Sequence, residues 1–178
     1  MTAYFSEEIL QSCAKQRKKA RNIYLICFLS VYLVVSAVML VWYMRLPFHS
    51  PTIKTVKWIH YSITVVFIFL SFIYLGIIYK RVNRYYKLCY NMKYGIRETF
   101  EGSFLEYDGK VSNKDGVDCK TLVFLEWNKY KKTYFERKVY VLYELPFPEM
   151  QERAIYKYVT QGNVLIEYEK QQDVEEEQ

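Results

Sequence analysis

The side chains best suited to chemistry are few and scattered along this 178-residue chain. No two of the four cysteines form a CxxC pair, and none lies near a histidine at the spacing of zinc ligands: Cys13, Cys27, Cys89 and Cys119. With two histidines and six glycines spread through the chain, the usual nucleophile–base pairs and phosphate-binding loops are missing. We therefore expect no enzyme activity, no metal and no cofactor.

One acidic loop and one basic hairpin are the remaining polar clusters. Asp108, Asp115 and Asp118 crowd the loop, but without the spacing of an EF-hand they favour a solvated turn over a cation site. The hairpin mixes aromatic rings with cations, a combination that fits anionic lipid, an acidic protein or single-stranded nucleic acid, and also a plain solvated tip. Its candidate contact residues are Trp127, Lys129, Tyr130, Lys131, Lys132, Tyr134, Arg137 and Lys138.

A second set of cations follows the second apolar run of the chain. Residues 80–97 form a predicted helical linker, with a helix that ends before Gly95. Because the linker adjoins a membrane segment, its cations suit the anionic headgroups of the inner leaflet, whereas nucleic acid is disfavoured. The candidate lipid contacts are Lys80, Arg81, Arg84 and Lys87.

Two uncharged apolar runs, residues 22–44 and 58–79, are long enough to span a bilayer as helices. Cations are concentrated before the first run, at residues 15–21, and after the second, at residues 80–97, whereas the connecting loop 45–57 holds only three. By the positive-inside rule both chain ends are cytoplasmic, which predicts a multi-pass protein of the plasma membrane, typical of a bacterium. His60 is the only ionisable side chain besides tyrosine in the second run, within a turn of the outer interface.

The N-terminal segment 1–21 allows two interpretations. Tyr4, Phe5, Ile9 and Leu10 precede a basic cluster, which indicates either an amphipathic segment on the inner leaflet or a simple positive flank. At the other end of the chain, the acidic tail 171–178 is predicted to be disordered.

Residues 98–170 have the pattern of five short strands. The strands are predicted over 99–107, 119–127, 133–144, 154–160 and 164–169, with a turn at Asp108-Gly109 and a short helical turn over 149–153. Closing such a sheet protects its edges, so we predict a small antiparallel β-barrel, OB-like or SH3-like, with a sandwich as the alternative. The fold class is thus an α+β membrane protein, a two-helix transmembrane hairpin followed by a cytoplasmic barrel.

This order of elements resembles that of the short NfeD-type proteins and of the middle domain of small-conductance mechanosensitive channels. The resemblance lies in the architecture, so no functional residue is carried over. The function we expect is that of a non-enzymatic membrane protein whose barrel binds a protein partner or supports assembly of a membrane complex. A subunit of a homo-oligomeric channel or transport complex is the alternative, and membrane-tethered nucleic-acid binding is a weaker one.

Overall fold

A computed structural model describes residues 2–47 and 50–171. The chain divides into two compact units. The helical unit is Ala14–Asn83, and the barrel unit combines Met1–Cys13 with Arg84–Gln178. The predicted disordered tail lies outside the described residues, apart from its first residue, Gln171.

Long helices make up the first part of the chain, as their uncharged apolar runs predict. The helices are α1 (Glu7–Ile23), α2 (Ser30–Arg45), α3 (Thr52–Ile73) and α4 (Lys80–Tyr94). Single π-helical segments, Tyr24–Leu29 and Tyr74–Tyr79, join α1 to α2 and α3 to α4. The continuous runs Glu7–Arg45 and Thr52–Tyr94 are both long and apolar enough to cross a membrane.

Tyrosines join the two apolar helices inside the helical unit. The Tyr32 ring stacks on Phe67 with 4.1 Å between centroids, and its hydroxyl lies 3.2 Å from the Thr64 hydroxyl. In the π-helical segments the rings of Tyr24 and Tyr74 stack at 5.9 Å. The Tyr74 hydroxyl also donates a 2.9 Å hydrogen bond to the Ala20 carbonyl.

Five strands close into a barrel, as predicted, which excludes the sandwich. The barrel strands are β2 (Glu98–Lys114), β3 (Val117–Asn128), β4 (Thr133–Leu142), β5 (Ile155–Gln161) and β6 (Val164–Lys170). Around the barrel, β2 pairs with β3, β3 with β4, β4 with β6, β6 with β5, and β5 again with β2. The β4–β6 contact is parallel and the others are antiparallel, so the predicted all-antiparallel arrangement needs this one correction. A two-residue strand, β1 (Thr2–Ala3), adds to β6.

Two local predictions in the barrel are wrong. Asp108-Gly109 lies within β2, where three residues bulge out between the pairs Asp108↔Thr121 and Ser112↔Cys119. The chain reverses instead at Asp115-Gly116, where both residues have positive φ. No helix forms over 149–153, where the backbone makes a turn with Arg153 at φ 64°.

The barrel unit has two cores. The first fills the barrel with side chains that include Phe104, Phe124 and Tyr158. The second joins Leu10 and Cys13 of α1 to α4 and to one end of the barrel, and Phe5 and Ile9 pack against it. The N-terminal apolar residues therefore do not lie free on a leaflet, because the barrel unit itself buries them.

Candidate functional site

The β3–β4 hairpin ends in a turn that the Asn128 side chain organises. Its Oδ1 accepts hydrogen bonds from the backbone N–H groups of Tyr130 and Lys131, at 2.9 and 3.1 Å. The Lys132 N–H donates to the Asn128 carbonyl at 2.8 Å, and Lys132 itself takes a positive φ of 50°. An asparagine at the first position of a turn commonly bonds the backbone in this way. The tip of the hairpin is therefore an ordered turn.

Six predicted contact residues meet at this tip. Trp127 and Tyr134 are directly opposite each other on β3 and β4, and their rings touch edge to face with centroids 4.8 Å apart. Tyr130, at the turn, is 99% exposed. The side chains that form this tip patch are all exposed: Trp127, Lys129, Tyr130, Lys131, Lys132 and Tyr134. The patch combines two aromatic rings in contact with each other and three lysine ammonium groups, which suits an acidic surface.

Arg137 lies on the same hairpin but is not part of the tip patch. Its guanidinium forms an ion pair with Glu126 at 2.9 Å and donates to the Asn163 side chain at 3.2 Å. The guanidinium also lies 3.7 Å from the centre of the Phe100 ring. Lys138 extends towards Asp108 with 4.0 Å between the nitrogen and the carboxylate oxygen. These two cations are engaged within the barrel unit and leave the tip patch to lysines.

Glu126 is a buried carboxylate that the sequence reading did not single out. It accepts from Arg137 and from the Tyr158 hydroxyl, and only 6% of the residue is exposed. Burial, together with the bond to Glu126, holds the pKa of Tyr158 well above its usual value. Two-residue alternation from Phe124 to Glu126 would have placed Glu126 on the inner face of β3. With both partners in place, this carboxylate is a structural group.

The predicted lipid-contact cations all lie on α4 and are all exposed. Lys80 and Arg81 belong to the helical unit, whereas Arg84 and Lys87 belong to the barrel unit. Arg84 lies against the β2–β3 turn, where a Cβ added at Gly116 would come within 2.7 Å of the arginine Cδ. Gly116 has φ 79°, so the turn needs glycine for its backbone as well as for this close approach.

An open cleft of about 640 Å³ lies beside the β4–β5 connection. The Tyr107 hydroxyl donates to the Pro148 carbonyl at 2.6 Å, and the Tyr156 hydroxyl accepts from the Gln151 N–H at 2.9 Å. Lys170 donates to the Gln151 side chain at 2.7 Å. These polar groups hold the connection in place, and Glu149 is the one carboxylate among the lining residues.

Cys13 and Cys89 meet in the second core with their sulfurs 3.5 Å apart. The hydrogen bond between the two thiols, reinforced by burial, raises the pKa of Cys89. Burial also raises the pKa of Cys119, to about 11. The same hydrogen bond between the thiols lowers the pKa of Cys13. With their raised pKa values, Cys89 and Cys119 carry little thiolate at neutral pH and react slowly. In the described part of the chain, no group of three or more His, Cys, Asp or Glu side chains is placed to hold a metal.

Comparison of the chain with protein-family models, with characterised proteins and with solved structures gives no significant match.

Proposed function

We propose that this protein is a membrane-anchored, non-enzymatic adaptor whose barrel binds an acidic protein surface through the tip patch. The anchor is the helical unit. Its large apolar side chains face outward along both helices, with Val34 63% and Phe72 78% exposed. A contiguous apolar surface of this extent is costly in water and marks contact with lipid or protein. If both helices cross the plasma membrane, lipid covers this apolar surface.

Charge supports an orientation with both chain ends in the cytoplasm. No Asp or Glu lies between Glu8 and Glu98, so every charge on and beside the two helices is positive. The cations concentrate before the first apolar run and after the second, which is the distribution that the positive-inside rule associates with the cytoplasmic face. The barrel then stands in the cytoplasm, and the protein is multi-pass, typical of a bacterial plasma membrane.

We assign the barrel to the OB kind rather than the SH3-like kind. Support comes from the strand order, in which β2 pairs with both β3 and β5 while β4 meets β6 in parallel. A consecutive antiparallel meander would not produce that parallel contact. In OB barrels the second and third strands commonly carry the binding face, and these correspond to β3 and β4. The tip patch lies at the end of that hairpin.

The tip patch is the observation that carries the binding proposal. Tyr and Trp are enriched in the energetic centres of protein interfaces, and lysines around them speed encounter with acidic partners. Residues 98–170 contain thirteen acidic and eleven basic side chains, a net charge of −2. A nucleic-acid or lipid surface would be expected to recruit a broadly basic domain. Positive charge concentrated at one hairpin tip favours a local acidic site on a protein.

A photo-crosslinking experiment in native membranes tests this proposal with the full chain. A photoreactive phenylalanine analogue replaces Tyr130 in the tip patch or, as the control, Tyr143, which is 52% exposed and outside the patch. We expect a discrete protein adduct from position 130 only, and its loss when Lys129, Lys131 and Lys132 are replaced by glutamate. Reversing the acidic residues of the captured partner restores the adduct with that charge-reversed variant.

The other outcomes of the crosslinking experiment overturn the adaptor proposal. Adducts with lipid or nucleic acid at position 130 assign the tip patch to those ligands instead. An adduct of the chain with itself, together with a ring-like oligomer in detergent, favours the channel or transport-complex subunit. Equal protein adducts from positions 130 and 143 show that the tip patch has no specific role.

A further inference from the structure

A cavity of about 320 Å³ lies between α2 and α3, inside the helical unit. Its volume falls within the range of about 300–1,000 Å³ that is usual for small-molecule sites. The walls are mainly apolar, and Met39 and Val56 are buried there. The lining residues are Ser36, Met39, Leu40, Tyr43, Val56, Lys57, His60 and Tyr61. A cavity with such apolar walls suits an alkyl chain.

Lys57 gives this apolar cavity one full positive charge. Its Nζ lies over the Tyr43 ring, 5.4 Å from the centroid, so a cation–π contact positions the ammonium group. The helical unit itself has no carboxylate to neutralise it, because the chain has no Asp or Glu between residues 8 and 98. Lys93 and Lys138 each have a carboxylate oxygen within 4.0 Å, whereas Lys57 has none among the described residues. A cation beside an apolar cavity calls for an anionic group with an apolar tail.

His60 supplies a second polar group that lacks a partner. Its Nδ1 is buried and has no hydrogen-bond partner among the described residues, although the side chain lines the cavity. The Thr64 hydroxyl bonds the His60 backbone carbonyl at 2.9 Å, so the local hydroxyl is already used elsewhere. A buried polar atom left unpaired costs about 1–3 kcal/mol. With its proton on Nδ1, His60 would donate to a ligand oxygen held near Lys57.

We propose that the cavity binds one anionic amphiphile, with its alkyl chain against Met39 and Val56 and its anionic headgroup held by Lys57 and His60. The headgroup chemistry is that of a phosphate or carboxylate, supplied by a phospholipid or by a free fatty acid. The inference concerns the helical unit alone and is independent of what the tip patch binds. An amphiphile seated here fills the space between the two helices and ties them together.

Native mass spectrometry of the full chain in detergent tests the proposal. Delipidated protein is titrated separately with phosphatidylglycerol, phosphatidylcholine and palmitate. We expect one tightly bound phosphatidylglycerol or palmitate, held roughly tenfold more tightly than phosphatidylcholine because of its charge-assisted contact with Lys57. The tighter of the two anionic ligands identifies the source of the headgroup. Equal affinity for the anionic lipids and phosphatidylcholine overturns the proposal.

Matched variants separate the cavity from a general attraction of cations for anionic lipid. Lys57→Gln removes the anionic preference, whereas Lys54→Gln, exposed on the same helix outside the cavity, changes affinity less than twofold. Met39→Trp keeps the charge but fills the cavity, and it abolishes the single tight site. Equal losses in the two lysine variants, or full binding in Met39→Trp, contradict the proposal. Circular dichroism confirms that each variant retains its helices.

Discussion

The two units of this protein treat aromatic and aliphatic side chains in opposite ways. In the barrel unit Phe104, Phe124 and Tyr158 are fully buried. The Phe124 ring touches that of Phe104 and stacks on that of Tyr158, with 4.3 Å between the latter two centroids. In the helical unit Phe69 and Phe72 are 66% and 78% exposed. The barrel unit buries its apolar side chains in a core, whereas the helical unit exposes them on its surface. This difference in exposure supports the proposal that the helical unit meets lipid and the barrel unit meets water.

Charge divides the two units in the same way. The helical unit has cations and no carboxylates, whereas residues 98–170 of the barrel are nearly balanced, at thirteen acidic to eleven basic side chains. In the barrel, opposite charges meet, as in the pairs Arg137–Glu126 and Lys138–Asp108. The helical unit has no carboxylate, which is why we propose an anionic ligand for it. Both the crosslinking and the lipid-binding experiments depend on this asymmetry.

The largest expected effect comes from truncating a phenylalanine in each unit. Phe124→Ala should destabilise the barrel by about 3–5 kcal/mol, because it opens a cavity among fully packed rings. Phe72→Ala should change barrel stability by less than about 0.5 kcal/mol, because its ring lies at an exposed surface of the other unit. Urea unfolding of the detergent-solubilised chain, followed by circular dichroism, measures both. Comparable losses in the two variants would break the contrast between the units.

A charged substitution at two valines of similar exposure tests which solvent surrounds each unit. Val34 in α2 is 63% exposed and Val111 in β2 is 59% exposed. Val34→Asp should impair membrane insertion at a cost of about 2.5–3.5 kcal/mol, because aspartate would lie within the bilayer. Val111→Asp should be neutral within about 0.5 kcal/mol. Carbonate extraction of membranes measures the inserted fraction, and normal insertion of Val34→Asp argues against the first crossing.

Local sequence signals were sufficient for much of the fold. Uncharged runs located the apolar helices, and Gly95 marked the end of α4, where its N–H bonds the Asn91 carbonyl at 2.7 Å. A Gly-Asn pair between two strands is also a turn signal, and at Gly162-Asn163 both residues adopt the positive φ that such turns need. The predicted turn at Asp108-Gly109 was wrong because a β-bulge also accommodates an Asp-Gly pair, without reversing the chain.

Features that depend on distant pairings were not visible in the sequence. The burial of Leu10 and Cys13 depends on α4, about eighty residues later in the chain, and no local pattern encodes that contact. The tip patch was predictable because a hairpin keeps its own residues together. Arg137 was predicted as a contact residue of the same hairpin. Alternation along β4 turns its side chain inward to Glu126, and its role as a contact stays a prediction. The strand order, including the parallel β4–β6 contact, likewise arises only when the barrel closes.

Inside the barrel unit, the buried Tyr158 and the exposed Tyr130 should differ in a smaller way, in how each affects the dependence of stability on pH. Burial and the bond to Glu126 raise the pKa of Tyr158 in the folded state above its value of 10.0 in the unfolded chain. Above pH 10 the folded state therefore retains a proton that the unfolded state loses. The contribution of the buried Tyr158 to the free energy of unfolding is complete below pH 10 and falls as the pH rises further. The slope for one such group is about 1.4 kcal/mol per pH unit.

Replacing each tyrosine with phenylalanine isolates that slope. Tyr158→Phe should lower stability at pH 8 by about 1 kcal/mol, because Glu126 loses one donor, and should make stability fall less steeply above pH 10. Tyr130→Phe should alter neither quantity, because its hydroxyl meets water before and after unfolding. Urea unfolding from pH 8 to pH 11 measures both variants. An unchanged alkaline slope in Tyr158→Phe would mean that its hydroxyl does not stay bonded to Glu126, and the inner face of the barrel would then be as open to water as its tip.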